Sequence, residues 1–283
     1  MRWKRAWVML VCMLLVMYSL SGCTLTEQQN APEQIFKRAV AGIAGKEMLT
    51  FKGQAGVITK NGLLMNKQFA YHGKVSNHDE LTMHWGSVAA FNKQSGYAAL
   101  EQGVSGDRVT KERFLRMDGK WIAVTPGRIA MNGVGMLNRF NPIQEMEELN
   151  ALNKTIRMEA GAARGTWVVR IEPESSSAKR WLKDRLMKEM DAINPQLLQA
   201  HMKQNGKNQE VQQKLNRIWA QSREDMSSQL EHSEVQAVYH LTIDRQTGLP
   251  LKLSSECKIA HQKANGEGHE EALITRVAFE GYK

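Results

Sequence analysis

An α+β fold built on an antiparallel β-sheet is predicted from three observations. Val235, Ala237, Tyr239, Leu241 and Ile243 alternate with polar neighbours, and Leu249–Ala260 repeats the pattern with Lys252, Ser254, Glu256 and Lys258 on the other face. A period of two with one wet face marks antiparallel strands. Asn61-Gly62 and Asp118-Gly119 each separate two strand-like runs, the strongest short-range hairpin signal. Residues 175–232 instead follow a helical period. Strands grouped apart from helices argue against alternating βαβ units.

The elements follow in order. Ile35, Phe36, Ala39, Val40 and Ile43 form one apolar stripe on a short helix over 33–44, with Pro32 suited to its first turn and Gly45 to its end. Strands are expected at Met48–Thr59, Leu63–Tyr71, Glu80–Ser87, Tyr97–Gln102, Arg113–Met117 and Lys120–Val124. In the last hairpin Arg116 faces Trp121 and Leu115 faces Ile122; the first pair is expected outside as a cation–π contact and the second inside. Residues 126–141 read as a loop. Asn141-Pro142 then reads as an N-cap and first helical residue, opening a helix to about Leu152. Thr155–Glu159 and Thr166–Glu172 are strands. Leu182, Leu186, Met190 and Ile193 form one helical stripe, and Val211, Leu215, Ile218, Trp219, Met226 and Leu230 a second, with a break at Asn194-Pro195. Leu273–Tyr282 is the last strand.

The N-terminus has the anatomy of a secretory signal. Arg2, Lys4 and Arg5 precede an uncharged apolar run from Ala6 to Leu20, followed by Ser21-Gly22-Cys23. That run is shorter than the ~20 residues that span hydrocarbon. Leu20-Ser21-Gly22-Cys23 resembles the bacterial lipobox. The resemblance implies cleavage after residue 22, diacylglycerol on the Cys23 sulfur, and an anchor at the extracytoplasmic face of a cell membrane. Residues 23–32 would be lipidated cysteine and tether, reaching ~30 Å at most, and 33–283 a single domain containing the helical segment 175–232.

Loss of residues 1–22 removes three positive and no negative side chains, lowering the net charge from +9 to +6. A positive exported protein suits anionic lipid or wall polymer as a neighbour. Nucleic acid is not expected, because Lys and Arg are spread along the chain. Cys12 would leave with the signal and Cys23 would be acylated, so Cys257 stands alone and no intrachain disulfide is available. Cys257 shares a face with Leu251, Leu253 and Ile259 and reads as a small buried hydrophobe.

No catalytic constellation stands out, and no enzyme activity, cofactor or metal is expected. The eight histidines lack the paired helical spacing of a zinc site. Glu145, Glu147 and Glu148 near a helix start suit the macrodipole. Gly133-Val134-Gly135 lacks the third glycine of a dinucleotide loop, and Gly103-Val104-Ser105-Gly106 is not a nucleophile elbow. Two features are candidates for binding. Met48, Met65, Met83, Met117 and Met158 fall in or beside strands, with Trp167 nearby in pattern, and methionine recurs on adaptable apolar surfaces; core filling is the alternative. Lys179, Arg180, Trp181, Arg185 and Lys188 cluster on one helix, with Trp181 on a basic face away from the apolar stripe, as for contact with lipid headgroups. Stacking of Trp181 on Arg185, or packing under a loop, is the alternative.

The order of elements resembles the LolA/LolB-type half-barrel lipoproteins, including the LppX/LprG branch. Three stretches carry the likeness: the hairpin Phe114–Val124; Asn141-Pro142 with its helix and then Ile156–Ile171; and Tyr239–Asp244 followed by Thr247–Lys252. The resemblance implies a strongly curved antiparallel sheet, a half-barrel, with helices closing its concave face over acyl chains or other lipid. It implies no catalytic residues. The long polar segment 175–232 departs from the pattern. Two functions are therefore expected: a membrane-tethered module that binds or carries lipid, or a protein-interaction lipoprotein whose fold is filled by its own side chains and whose helices dock an envelope protein, as in spore-related processes.

Overall fold

β1 (Leu49–Thr59) and β11 (Gly268–Glu280), far apart in sequence, lie side by side near the middle of an antiparallel sheet. The computed structural model describes residues 31–59, 62–63, 69–87, 110–124, 137–193, 209–262 and 268–283. The expected signal, Cys23, Met65, the strand at 97–102 and the break at Asn194-Pro195 lie outside those residues.

From β1 the sheet runs one way through β3 (Phe69–Ser76), β4 (Glu80–Ser87), β5 (Thr110–Met117) and β6 (Lys120–Ala123). From β11 it runs the other way through β10 (Pro250–Gln262), β9 (Ser233–Asp244), β8 (Thr166–Pro173) and β7 (Lys154–Met158). The short β2 (Gly62–Leu63) pairs only with the end of β1. β6 and β7 are the two edges and do not pair, so the sheet is an open half-barrel. Among the described residues four helices accompany it: α1 (Pro32–Ala44), α2 (Pro142–Ala151), α3 (Ser175–Ala192) and α4 (Gln209–Glu231).

Local chemistry explains the elements. Asp118 (φ 51°) and Gly119 (φ 75°) form the two-residue loop between β5 and β6, with Met117 paired to Lys120. A hairpin turn that the sequence pattern did not announce joins β3 to β4 through Asn77 (φ 54°) and His78 (φ 64°); Asn and His are among the non-glycine residues that best tolerate this conformation. In α1 the predicted stripe is buried at Ile35, Phe36, Ala39 and Ile43. The inner face of β9 is buried at every second residue from Ser233 to Ile243.

The β1–β3 pair is fitted by glycine and aromatic residues. Phe51 lies opposite Gly73, and Gly53 opposite Tyr71. A Cβ on Gly73 would fall 2.2 Å from the Phe51 ring, and one on Gly53 2.2 Å from the Tyr71 ring. Each ring thus occupies the space that its partner leaves empty. Phe51 and Phe279 meet edge to face at 6.5 Å.

Two expectations are corrected. Arg116 does pair with Trp121 and lies 5.8 Å from its ring, but Trp121 is buried and Ile122 is 46% exposed. The faces are exchanged because Phe114 carries the inward phase of β5 and Arg116 finds Glu147 of α2 on that side at 2.6 Å. On α4 the packed side is rotated relative to the apolar stripe. Trp219, Met226 and Leu230 pack inward together with polar Gln212, Asn216 and Arg223, while Val211, Leu215 and Ile218 are exposed. Arg223, bonded to Asp191 of α3, and the Trp219 indole, donating to the Met190 carbonyl at 2.8 Å, hold the helix in this rotation.

Candidate functional site

The site is built from the N-terminus of α2 outward. The Asn141 side-chain oxygen accepts from the backbone N–H groups of Ile143 (3.1 Å) and Gln144 (3.4 Å), and Pro142 starts the helix. This buried cap fixes the first turn, and with it the direction of Glu145. Asn141→Ala should lower stability by about 1–2 kcal/mol, read by chemical denaturation; a change within a few tenths would show that the cap does not set the helix start.

α3 lies over α2 and the 3-10 turn Leu137–Phe140 through side chains that face inward. The Trp181 indole donates to Glu148 at 2.8 Å. Arg185 stacks 5.1 Å from Trp181, donates to the carbonyls of Asn138 (3.0 Å) and Arg139 (2.8 Å), and lies 3.6 Å from Glu148. Arg139 binds Glu189, with one contact at 3.0 Å. Residues 181, 185 and 189 are one helical turn apart, so one side of α3 is tied down by ionic and aromatic contacts. Breaking a largely buried pair by removing one partner leaves the other charge uncompensated. Arg185→Met should therefore cost roughly 2–4 kcal/mol, and a loss under ~0.5 kcal/mol would show the clamp to be unimportant.

Beneath α3 is a cavity of ≈190 Å³. Its roof is Trp181, Leu182, Arg185 and Leu186; its end wall is Arg139, Phe140 and Glu145; its floor is the inner face of β1, β9, β10 and β11. Val57, Ile259 and Leu273 make the floor apolar, and Tyr239, Ser255, Cys257 and Thr275 add polar atoms. Ser255 and Thr275 are register partners on β10 and β11, with hydroxyls 2.6 Å apart.

Burial dominates the electrostatics. Glu145 is 8% exposed and its carboxyl makes no hydrogen bond among the described residues. Burial pushes its pKa up to about 7, against the pull of the Arg185 guanidinium. The Cys257 thiol is raised to about 11 by burial, then by the Glu145 charge. Tyr239 is raised well above its ordinary value for the same two reasons. Tyr239 and Cys257 thus keep their protons at ordinary pH, while Glu271 of β11, which also lines the cavity, lies 3.1 Å from His269.

The residues singled out from sequence fall elsewhere or point differently. Met83 is closed inside the core, Met117 and Met158 are exposed, and Met48 is half-buried at the start of β1. Trp167 is half-buried under Arg245, 5.6 Å away. None of these lines the cavity. Methionine type alone does not report which face of a strand a residue occupies. In the basic cluster, Trp181 and Arg185 turn inward onto α2, a correction to their reading as headgroup contacts; stacking, the alternative, is what the geometry has. Lys179 donates to the Glu231 carbonyl at 2.5 Å. Arg180 and Lys188 stay exposed. The signal that could have located this seam is the match of Glu145, Glu147 and Glu148 to Arg139, Arg185 and Arg116. No group of three or more His, Cys, Asp or Glu among the described residues is placed to hold a metal.

No family model matches the chain, and no curated protein matches it in sequence. Solved structures with similar arrangement include lipovitellin, in a structure titled for its lipid–protein interactions, at TM-score 0.37 and 10% identity. That match covers 83% of this chain and 25% of lipovitellin, so the chain spans about a quarter of its length. A LolA superfamily protein from Nitrosomonas europaea is similar at TM-score 0.24 and 8% identity, over 89% of this chain and 92% of that one. A DUF1329 family protein from Desulfovibrio piger is similar at TM-score 0.19 and 6% identity, again over 89% and 92%.

Proposed function

We propose that the protein is an exported lipoprotein, anchored through acyl chains on Cys23 at the extracytoplasmic face of a cell membrane, that binds or carries an apolar ligand between the half-barrel and α3. The observation that carries this reading is the cavity: apolar walls from the sheet and from Leu182 and Leu186, with a few polar groups at depth, are the ordinary make-up of a small-molecule site. Binding there is driven by removal of apolar surface from water. No helix among the described residues is long and apolar enough to cross a membrane; the reading takes the anchor from Cys23. No step of bond making or breaking is assigned.

Native mass spectrometry of the purified chain tests the ligand. A heterogeneous added mass, removed by organic extraction and identified as acyl lipid, is expected. A bare mass that stays unchanged after incubation with membrane lipids would overturn it. Lipidation is tested apart from this: metabolic labelling with a palmitate analogue should mark the chain and be lost in Cys23→Ser, and equal labelling of the two would remove the anchor from the proposal.

The exposed Val211, Leu215 and Ile218 face of α4 favours a second reading, an envelope protein docked on the helices. Leu215→Lys should leave stability within about 0.5 kcal/mol, since the residue is already exposed. Under the second reading the same change abolishes crosslinking to a partner; under the first it does not alter ligand content.

A further inference from the structure

We infer that the cavity recognises a single acyl chain ending in an anionic oxygen head, with the Glu145 carboxyl and the Tyr239 hydroxyl donating hydrogen bonds to that head. This rests on the ligand-binding reading above and names its ligand class.

Unused hydrogen-bonding capacity carries the inference. Glu145 is more than nine-tenths buried, lines the cavity and has no hydrogen-bond partner among the described residues. Tyr239, 1% exposed, lines the same cavity, and its hydroxyl also makes no hydrogen bond among them. Ser255 and Thr275 share one proton in their mutual contact, which leaves one hydroxyl hydrogen for a third group. These groups open onto the cavity space rather than onto protein partners, so a ligand that enters it meets free donors. These four side chains arrive from α2, β9, β10 and β11.

Charge selects the head. The titratable and charged groups around Glu145 and its cavity are Tyr71 from β3, Tyr239 from β9, Cys257 from β10, Arg185 from α3, Arg139 from the 3-10 turn, Glu148 on its own helix, and Glu271 of β11, which is half-exposed and lies 3.1 Å from His269. The tyrosines and the thiol are neutral. Glu148 is engaged by Arg185 and by the Trp181 indole. A neutral carboxyl and phenol offer donors, and the guanidinium groups of Arg185 and Arg139 line the cavity while their partners Glu148 and Glu189 do not, which favours an anion over a cation there. An ionised Glu145 would reverse this by losing its proton and repelling the head. Size selects the tail. The volume of ≈190 Å³ is below the ~300–1,000 Å³ of drug-sized sites and just above the ~150 Å³ of an apolar cavity that admits benzene. The head and the adjoining carbons of one chain are enough to fill it.

The test uses the full chain in phosphatidylcholine nanodiscs, with empty nanodiscs subtracted, and three ten-carbon probes. Decanesulfonate stays anionic at every pH used, methyl decanoate stays neutral, and decylamine is cationic. Calorimetric titration should show decanesulfonate binding about tenfold more tightly near pH 5.5 than near pH 8.5. Glu145→Gln, which keeps a donor without a titrating proton, should retain binding and lose the pH dependence. Tyr239→Phe should weaken binding at both pH values. Decanesulfonate affinity that is independent of pH in the unaltered chain, or equally dependent in Glu145→Gln, would overturn the inference, as would preference for decylamine. In those cases binding of methyl decanoate keeps the apolar-ligand reading intact. Binding of none of the three probes would overturn both.

Discussion

Phe51→Ala is expected to cost about 3–5 kcal/mol of stability, and a single methyl added at Gly73 about 1–3 kcal/mol. Both act on one contact. Phe51 is fully buried, and its ring fills the space over Gly73 of the neighbouring strand. Removing the ring opens a void that the paired strands cannot collapse into; adding a Cβ drives an atom into the ring. The two changes are therefore coupled. Gly73→Ala should be far less costly in a Phe51→Ala background, because the added methyl enters the void. Denaturant melts of the two single variants and the double variant decide it. Equal cost of Gly73→Ala in both backgrounds would mean that the glycine serves backbone conformation rather than the ring. The reciprocal pair Gly53 and Tyr71 predicts the same behaviour.

The contribution of Glu145 to stability should also fall as pH rises from about 4.5 to about 7. Glu145 is raised from 4.5 to about 7 in the fold by burial. Between these values the native state holds a proton that the unfolded chain has released, so raising pH favours unfolding; below them the contribution is complete, and above them it is lost. At about 1.4 kcal/mol per unit, the fully buried group accounts for about 3 kcal/mol. Glu112, raised to about 7 by burial, acts in the same direction but more weakly, since it is half-buried. His72 opposes them. Burial, the neighbouring His84 and Lys52 lower it to about 4, so the native state refuses a proton that the unfolded chain takes up below about 6.5. The informative quantity is thus the difference between the unaltered chain and Glu145→Gln. That difference should change by about 3 kcal/mol from pH 4 to pH 8, against the unaltered chain at the higher pH. Parallel pH profiles for the two chains would show that Glu145 is solvated in the native state. A ligand with an anionic head should steepen the fall, since it binds best to the protonated form.

Much of the molecule was legible because the deciding forces are local. The Asp118-Gly119 turn needs only residues that accept positive φ. The Asn141-Pro142 start needs only a side chain that reaches two backbone N–H groups. The alternation in β9 and β10 needs only one wet face. From these follow an α+β chain with antiparallel strands and the place of most elements. The antiparallel half-barrel itself agrees with the family resemblance drawn from those stretches.

Interactions between distant segments decided the rest. Pairing of β1 with β11 joins residues more than two hundred apart, and no local pattern encodes it. The inward turn of Trp181 and Arg185 depends on Glu148 and on the carbonyls of Asn138 and Arg139, which an isolated helical wheel does not contain. The rotation of α4 depends on Asp191 and Met190 of α3. The site followed the same rule: Glu145 suited a helix start in the sequence, and became a buried, unpaired carboxyl only when α3 and four strands closed around it. Hydrophobic periodicity states that a face will be buried; which face, against what, and with which polar group left unpaired is settled by the partner that covers it.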